Sequence, residues 1–262
     1  MKFRVLLTVI LFAFFAMTAN SQVLFTENFD YPAGDSIGAH GWTGFSGSVN
    51  NIKVVSPGLT FTGYRLSGIG NAARLSNNGL DNYKNFTGDT VTSGSLYVSL
   101  MVKVDTAKSG DYFLALLPQS STTLYTPRLF VKDSSGTLSF GISKGATTST
   151  AAQYSANGYA YGTTYLLVVK YTFNTTSTTD DQVSLFVFSS TIPSTEPSTP
   201  TVGPITASTP DANSIGRVAL RQGSASLAPS LNIDGISVGT SWSSTLLAIK
   251  PIETVANSFY LS

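Results

Sequence analysis

The 262 residues include 15 basic and 14 acidic side chains, a formal charge of +1, and no cysteine. A surface this near neutral leaves no electrostatic footprint for nucleic acid or an anionic membrane, and the missing cysteines exclude disulfides, thiolate chemistry and cysteine-held metals. A hydrophobic fraction of 42% with only 11% charged residues is enough for a packed core, so the chain reads as globular rather than disordered.

Residues 1–21 read as a signal peptide. Lys2 and Arg4 form a charged start, residues 5–17 are an apolar run, and Ala19-Asn20-Ser21 fits a small-x-small cleavage site with Gln22 as the mature start. The apolar run is short of the ~20 residues a membrane span needs. The expected location is therefore secreted, extracellular or at the outer cell surface, with no stable membrane insertion after cleavage.

Val23, Phe25 and Phe29 then share one face of an opening strand, which Pro32 and Gly34 end. The next segment holds the only histidine, His40, beside Trp42. Residues 44–95 are rich in turn signals, with short strands expected at 52–55 and 72–75. From there the strand pattern is plain. Residues 96–104 alternate Leu96, Val98, Leu100, Val102 and Val104 against more polar neighbours. Residues 112–117 are almost wholly apolar, as in a central strand covered on both faces. Strands at 128–132 and 137–143 are joined by Asp133-Ser134-Ser135-Gly136, a hairpin signal. Further strands are expected at 165–173 and 182–188. Residues 189–210, rich in Pro, Ser and Thr, read as a long exposed loop because proline cannot donate to a ladder. Strands resume at 217–222 and 231–238.

The closing strand carries a phase break. Leu231 and Ile233 fall on odd numbers, Ile236 and Val238 on even ones. A one-residue slip turns every later side chain to the wrong face, so a β-bulge at Asp234-Gly235 is predicted, with Ile233 and Ile236 both pointing inward. Many short strands separated by turns rather than helices predict an all-β fold: an antiparallel two-sheet β-sandwich. One domain spans residues 22–242, followed by a tail over 243–262.

Three stretches carry a family resemblance: 27–42 (ENFDYPAGDSIGAHGW), the pair 109–116 and 128–132 (SGDYFLAL, RLFVK), and 218–242, which closes on LNIDGISVGTSW. They resemble the laminin-G-like, concanavalin-like jelly-roll domains of secreted bacterial proteins that use type IX secretion. The resemblance covers residues 23–242 and implies a jelly roll whose first and last strands are neighbours. The tail (LLAIKPIETVANSFYLS) resembles the lead-in to a type IX sorting domain.

Several jelly-roll families cleave glycans, which requires two carboxyl groups about 5–10 Å apart. The related hydrolases carry them as E-x-D-x-x-E on one strand, a run missing here. Glu27, Glu196 and Glu253 lie far apart, and the aspartates sit mostly in turns. His40 is the sole candidate base for a Ser-His-Asp triad, and no G-x-S-x-G elbow accompanies it. One histidine and no cysteine do not make a zinc site. Calcium is the cation left open, since backbone carbonyls and one or two aspartates can hold it. The laminin-G-like resemblance implies the same ion, with Asp111 and Asp234 as candidate ligands.

These absences predict a non-catalytic protein, leaving glycan binding. Sugars are held by aromatic faces with polar groups beside them, and Tyr125, Tyr154, Tyr159 and Tyr161 are the candidate ligand-binding residues. The expected function is a secreted module binding a glycan at the cell surface or in the matrix. The alternatives are a structural or adhesive surface protein contacting other proteins and, third, an atypical glycan-active enzyme.

Overall fold

A computed structural model describes residues 22–145 and 151–247, so the signal-peptide expectation for 1–21 and most of the tail lie outside the described residues. Among the described residues there are fifteen strands. In chain order the first seven are Val23–Glu27 (β1), Thr43–Ser46 (β2), Lys53–Val55 (β3), Ala72–Leu75 (β4), Asp81–Asn85 (β5), Ser95–Thr106 (β6) and Asp111–Leu117 (β7). Arg128–Ser134 (β8), Thr137–Ser143 (β9), Gln153–Tyr154 (β10) and Thr164–Thr172 (β11) follow. Gln182–Phe188 (β12), Val202–Ile205 (β13), Arg217–Leu220 (β14) and Ser230–Gly239 (β15) complete the set, and a short helix, Trp242–Leu246 (α1), comes after them.

The strands form two antiparallel sheets packed as a sandwich. The first runs β13-β12-β11-β6-β15-β4-β3, with β1 also paired to β15. The second runs β10-β9-β8-β7-β14-β5-β2. The core lies between them, and the alternation of β6 shows how the sequence builds it. Leu96, Val98, Leu100, Val102 and Val104 face inward, against Phe113, Leu129, Phe140 and Val218 of the second sheet. Apolar surface removed from water in this way is the main favourable contribution to folding, at roughly 25 cal/mol per Å².

β15 holds the first sheet together. Leu231 to Ile233 pair with β4, and Val238 to Ile236 pair with β1 on the same edge. The handover falls at the predicted bulge. Against β6, Asp234 faces Met101 whereas Ser237 faces Ser99, so one extra residue lies on β15. Gly235 takes φ 57°, a left-handed conformation that glycine adopts without strain. Ile233 and Ile236 are both buried in the core as a result.

Two expectations need correction. The segment 189–210 is not all exposed loop: β13 lies within it, with Val202 and Ile205 buried and Pro204 on the outermost strand of the sheet. An edge is where a strand tolerates proline, because one side of its ladder needs no partner. The fold also does not stop at Trp242, since Ser244, Thr245 and Leu246 of α1 are buried against the first sheet.

Candidate functional site

The outer faces of the two sheets differ. On the second sheet, cross-strand register brings side chains from many strands to the same side, because residues directly opposite one another share a face. Tyr112 on β7 faces Phe130 on β8, Phe130 faces Gly141 on β9, and Gly141 faces Tyr154 on β10. Ala115 on β7 faces Ala219 on β14, and Ala219 faces Tyr83 on β5. Gly141 is needed for this packing: a Cβ there would sit 2.6 Å from the Tyr154 ring.

The rings form an unbroken series across the face. Tyr83 lies 5.6 Å from Phe45, Phe45 6.4 Å from Tyr125, and Tyr125 5.9 Å from Tyr112. Tyr112 then lies 5.6 Å from Phe130, and Phe130 6.4 Å from Tyr154. Phe130 and Tyr112 are buried beneath the others, while Phe45, Tyr83, Tyr125 and Tyr154 present part of their surface.

Cations are interleaved with the rings. Arg217 sits 3.8 Å over Tyr83, Arg221 4.1 Å over Tyr112, and Lys132 4.1 Å over Tyr154. Arg128 lies 5.1 Å from both Tyr112 and Tyr125. The two acids here are Asp111, paired with Arg221 at 2.7 Å, and Asp81, which accepts from the Gln222 N–H. Burial pushes the Asp81 carboxyl up to about 6, against the pull of the Gln222 N–H and Arg221. Four cations against two acids make this face positive, which the whole-chain charge of +1 conceals.

The four expected tyrosines therefore divide. Tyr125 and Tyr154 belong to the outer face. Tyr159 packs on the core against Phe140 and Tyr165, at 5.2 Å and 5.1 Å. The Tyr161 hydroxyl is tied to Asp133 at 2.6 Å. Sequence reasoning missed Tyr83, Tyr112, Arg128, Arg217 and Arg221. The signal was present in Arg217-Val218-Ala219-Leu220-Arg221, where one alternate set of positions carries Arg217 and Arg221 with the small Ala219 between them.

The two aspartates proposed for calcium do not meet. Asp111 is on the second sheet, where its oxygens take Arg221 and the Tyr112 N–H. Asp234 lies at the bulge of the first sheet, where it accepts from Leu59 N at 2.7 Å and Gly235 N at 2.6 Å. Calcium takes six to eight oxygen ligands, whereas these carboxylates face N–H donors and a guanidinium. Neither surrounding fits the ion.

Asp180 and Asp181, in the turn after β11, form a tighter acidic group with Asp211, which lies between β13 and β14. Asp211 accepts from the Asp180 and Asp181 N–H groups, both at 3.0 Å, and is ion-paired with the buried Lys144. Asp181 accepts from Tyr171 and from Asn174 N, both at 2.6 Å. Lys144 compensates Asp211, and hydroxyl and N–H donors engage Asp180 and Asp181, so the group locks a turn.

The described glutamates are committed as well. Glu27 accepts from Lys84 at 2.7 Å, Trp42 at 3.0 Å and Tyr31 at 3.1 Å, and Glu196 holds Lys170 and Tyr97. His40 stacks on Tyr31 at 4.0 Å and bonds Asp35 at 2.9 Å.

No protein-family model matches the chain, and no curated protein does. Solved structures give fold-level likenesses. An alginate lyase is 13% identical with a TM-score of 0.46, covering 83% of this chain and 96% of its own. Domain 4 of an extracellular arabinanase from Geobacillus stearothermophilus, in complex with arabinotriose, is 13% identical with a TM-score of 0.44, over 87% and 95%. A glycosyl hydrolase family protein from Mycobacterium fortuitum is 14% identical with a TM-score of 0.43, over 83% and 99%. At these identities none of them assigns a role to a residue of this chain.

One expectation needs correction, that the protein is not an enzyme. A missing glutamate pair is no ground for excluding catalysis, and the solved structures similar to this chain include a lyase and a glycosyl hydrolase family protein. The physical reason is that proton transfer can be carried out by Tyr or Lys as well as by carboxylates, and both line the outer face.

Proposed function

We propose that the outer face of the second sheet holds a glycan chain. The observation that carries this reading is the continuous series of six aromatic rings across the sheet, with cations between them. Sugar rings present C–H surfaces that stack on aromatic faces, and the polar groups between the rings orient them. Ala115, Ala219 and Gly141 keep the floor low between the larger side chains. The carbohydrate-active and carbohydrate-bound sandwich proteins named above are consistent with this reading and do not carry it. A location outside the cell, expected from residues 1–21, belongs to the same proposal.

A glycan array followed by calorimetry on the retained sugars tests it. Tyr83→Ala and Tyr125→Ala, both partly exposed, are each expected to weaken binding about fivefold to tenfold, the size of a typical ring contact of ~1 kcal/mol. Retention of no glycan, or full affinity in both variants, overturns the reading. The same samples are assayed for new reducing or unsaturated sugar ends. Release by the unaltered protein that falls in the two variants extends the reading from holding to cleavage.

A further inference from the structure

Beside the aromatic face, a cavity of about 420 Å³ opens between residues 118–126 and 209–214. Tyr125 and Arg128 line the side nearest the rings, and Thr209 lines the other. Arg128 is only 4% exposed, yet among the described residues it belongs to no ion pair. Its partners are neutral. Nη1 donates to the Gly145 carbonyl, and the guanidinium lies against the Tyr112 and Tyr125 rings. Its Nε is buried with no acceptor, and so is the Thr209 hydroxyl across the cavity.

An uncompensated buried charge is among the most expensive features a fold can carry. The same molecule shows the alternative close by. Lys144 is also buried, and Asp211 neutralises it. Asp211 lines this cavity too, but Lys144 and two backbone N–H groups hold it below the usual carboxylate range despite its burial. Arg128 thus sits at a cavity with its charge unanswered. Arg221, the neighbouring guanidinium on the face, already has Asp111.

We infer that this cavity takes an oxyanion carried by the glycan, a carboxylate or a sulfate, and that the ligand class is an acidic polysaccharide. Arg128 supplies the charge and its planar donors, which match an oxyanion, and the Thr209 hydroxyl supplies a further donor. Lys132 and Arg217, farther along the face, favour the same sign of ligand. The inference rests on the reading of this face as a glycan site, and it specifies the ligand that site selects.

Calorimetry separates the two claims. The unaltered protein and Arg128→Gln are titrated with a uronic acid oligosaccharide, with the same oligosaccharide after reduction of its carboxyls to alcohols, and with a sulfated oligosaccharide of equal length. The unaltered protein is expected to bind an acidic form at least tenfold more tightly than the reduced form, and Arg128→Gln to lose that preference. Whichever of the uronate and the sulfate ester binds more tightly identifies the oxyanion. Equal affinity for acidic and reduced forms overturns the acidic class and leaves a neutral-glycan face standing, and a preference that survives in Arg128→Gln overturns the assignment of the oxyanion to the Arg128 cavity. If no oligosaccharide binds, the glycan reading falls and the cavity is judged alone. The Arg128 Nε–H resonance of the unaltered protein is then followed on addition of sodium glucuronate and sodium sulfate. A saturable shift retains the anion cavity, and no shift overturns it. This measurement also decides the matter if Arg128→Gln fails to fold.

Discussion

Both sheets carry aromatic residues on their outer faces, and the chain treats the two faces in opposite ways. On the first sheet, Tyr97, Met101, Leu166, Val168 and Phe186 are covered by Leu59, Phe61, Tyr64 and Leu66 from a long loop and by Trp242 and Leu246 of α1. The polar atoms under that cover are bonded. The Tyr64 hydroxyl reaches Ser99 at 2.8 Å and the Gly235 carbonyl at 2.6 Å, and Arg65 reaches Ser237 at 2.7 Å. On the second sheet, nothing comparable covers the rings among the described residues, and Arg128 Nε and Tyr154 OH, with Thr209 Oγ1 at the adjoining cavity, are buried without partners. An aromatic outer face is therefore not by itself a site. What distinguishes the second face is unanswered polarity, a cost that folding alone does not repay.

The largest expected effect comes from uncovering the first face. Trp242 packs edge-on against Phe186 at 5.2 Å, Phe188 at 5.9 Å and Tyr97 at 6.3 Å, and its indole N–H donates to Pro193 O. Trp242→Ala should cost about 3–5 kcal/mol, the range for a large buried side chain. Thermal denaturation should show a fall of roughly 10 °C, with glycan affinity at 25 °C unchanged on the opposite face. A fall in affinity as large as the fall in stability would show that the two faces are coupled.

The sequence made the covered face easier to read than the open one. Alternation in β6 and β11 identifies the strands whatever lies on their outer sides, because the inner face alone sets the period of two. The phase break at Asp234-Gly235 was legible because the strand is long enough to count on both sides of it. β2, β5, β10 and β13 were not legible. β2, β5 and β13 (TGFS, DNYKN and VGPI) carry turn-type residues in place of an apolar alternation, and β10 is only two residues long. The site was harder for a related reason. Its residues come from β2, β5, β7, β8, β10, β14 and the loop between β7 and β8, and they meet only in the folded sheet. Tyr125 and Tyr154 could be selected as loop or strand-edge tyrosines, but the same rule also selected Tyr159 and Tyr161, which pack inward or bond Asp133. Arg128 carries no mark in the sequence, because its significance lies in the carboxylate that is not beside it.

A smaller effect sharpens the account of the covered side. Burial pushes the Asp234 carboxyl up to about 7, although the Leu59 and Gly235 N–H groups pull the other way. Because its folded pKa lies above its unfolded one, the folded state keeps a proton that the unfolded chain has already released. That contribution to stability is complete below the unfolded pKa and is lost as pH rises through about 7. The protein should therefore melt several degrees higher at pH 6 than at pH 8. Asp234→Asn should flatten this slope, whatever its own absolute stability. Asp81, raised to about 6, acts with the same sign at lower pH, so the slope between pH 6 and 8 reports mainly on Asp234. An unchanged slope in Asp234→Asn would assign the pH dependence to another group.

The smallest effect is the sharpest comparison, because it makes one chemical change on both faces. Tyr64→Phe removes a hydroxyl that serves Ser99 and the Gly235 carbonyl, leaving buried groups unpaired at a cost of about 1–3 kcal/mol. Tyr154→Phe removes a hydroxyl that is buried without a partner. That oxygen paid for its desolvation with no bond in return, so its loss should leave the melting temperature unchanged or slightly raised. The Phe130 and Lys132 contacts of the ring, at 6.4 Å and 4.1 Å, remain in place. If Tyr154→Phe destabilises the protein as much as Tyr64→Phe does, the hydroxyl has a bonded partner in solution, and the contrast between the two faces then rests on Arg128 and Thr209. If stability holds while glycan affinity falls, the hydroxyl is kept for the ligand, since a group that contributes nothing to folding has only the bound state in which to form its bond.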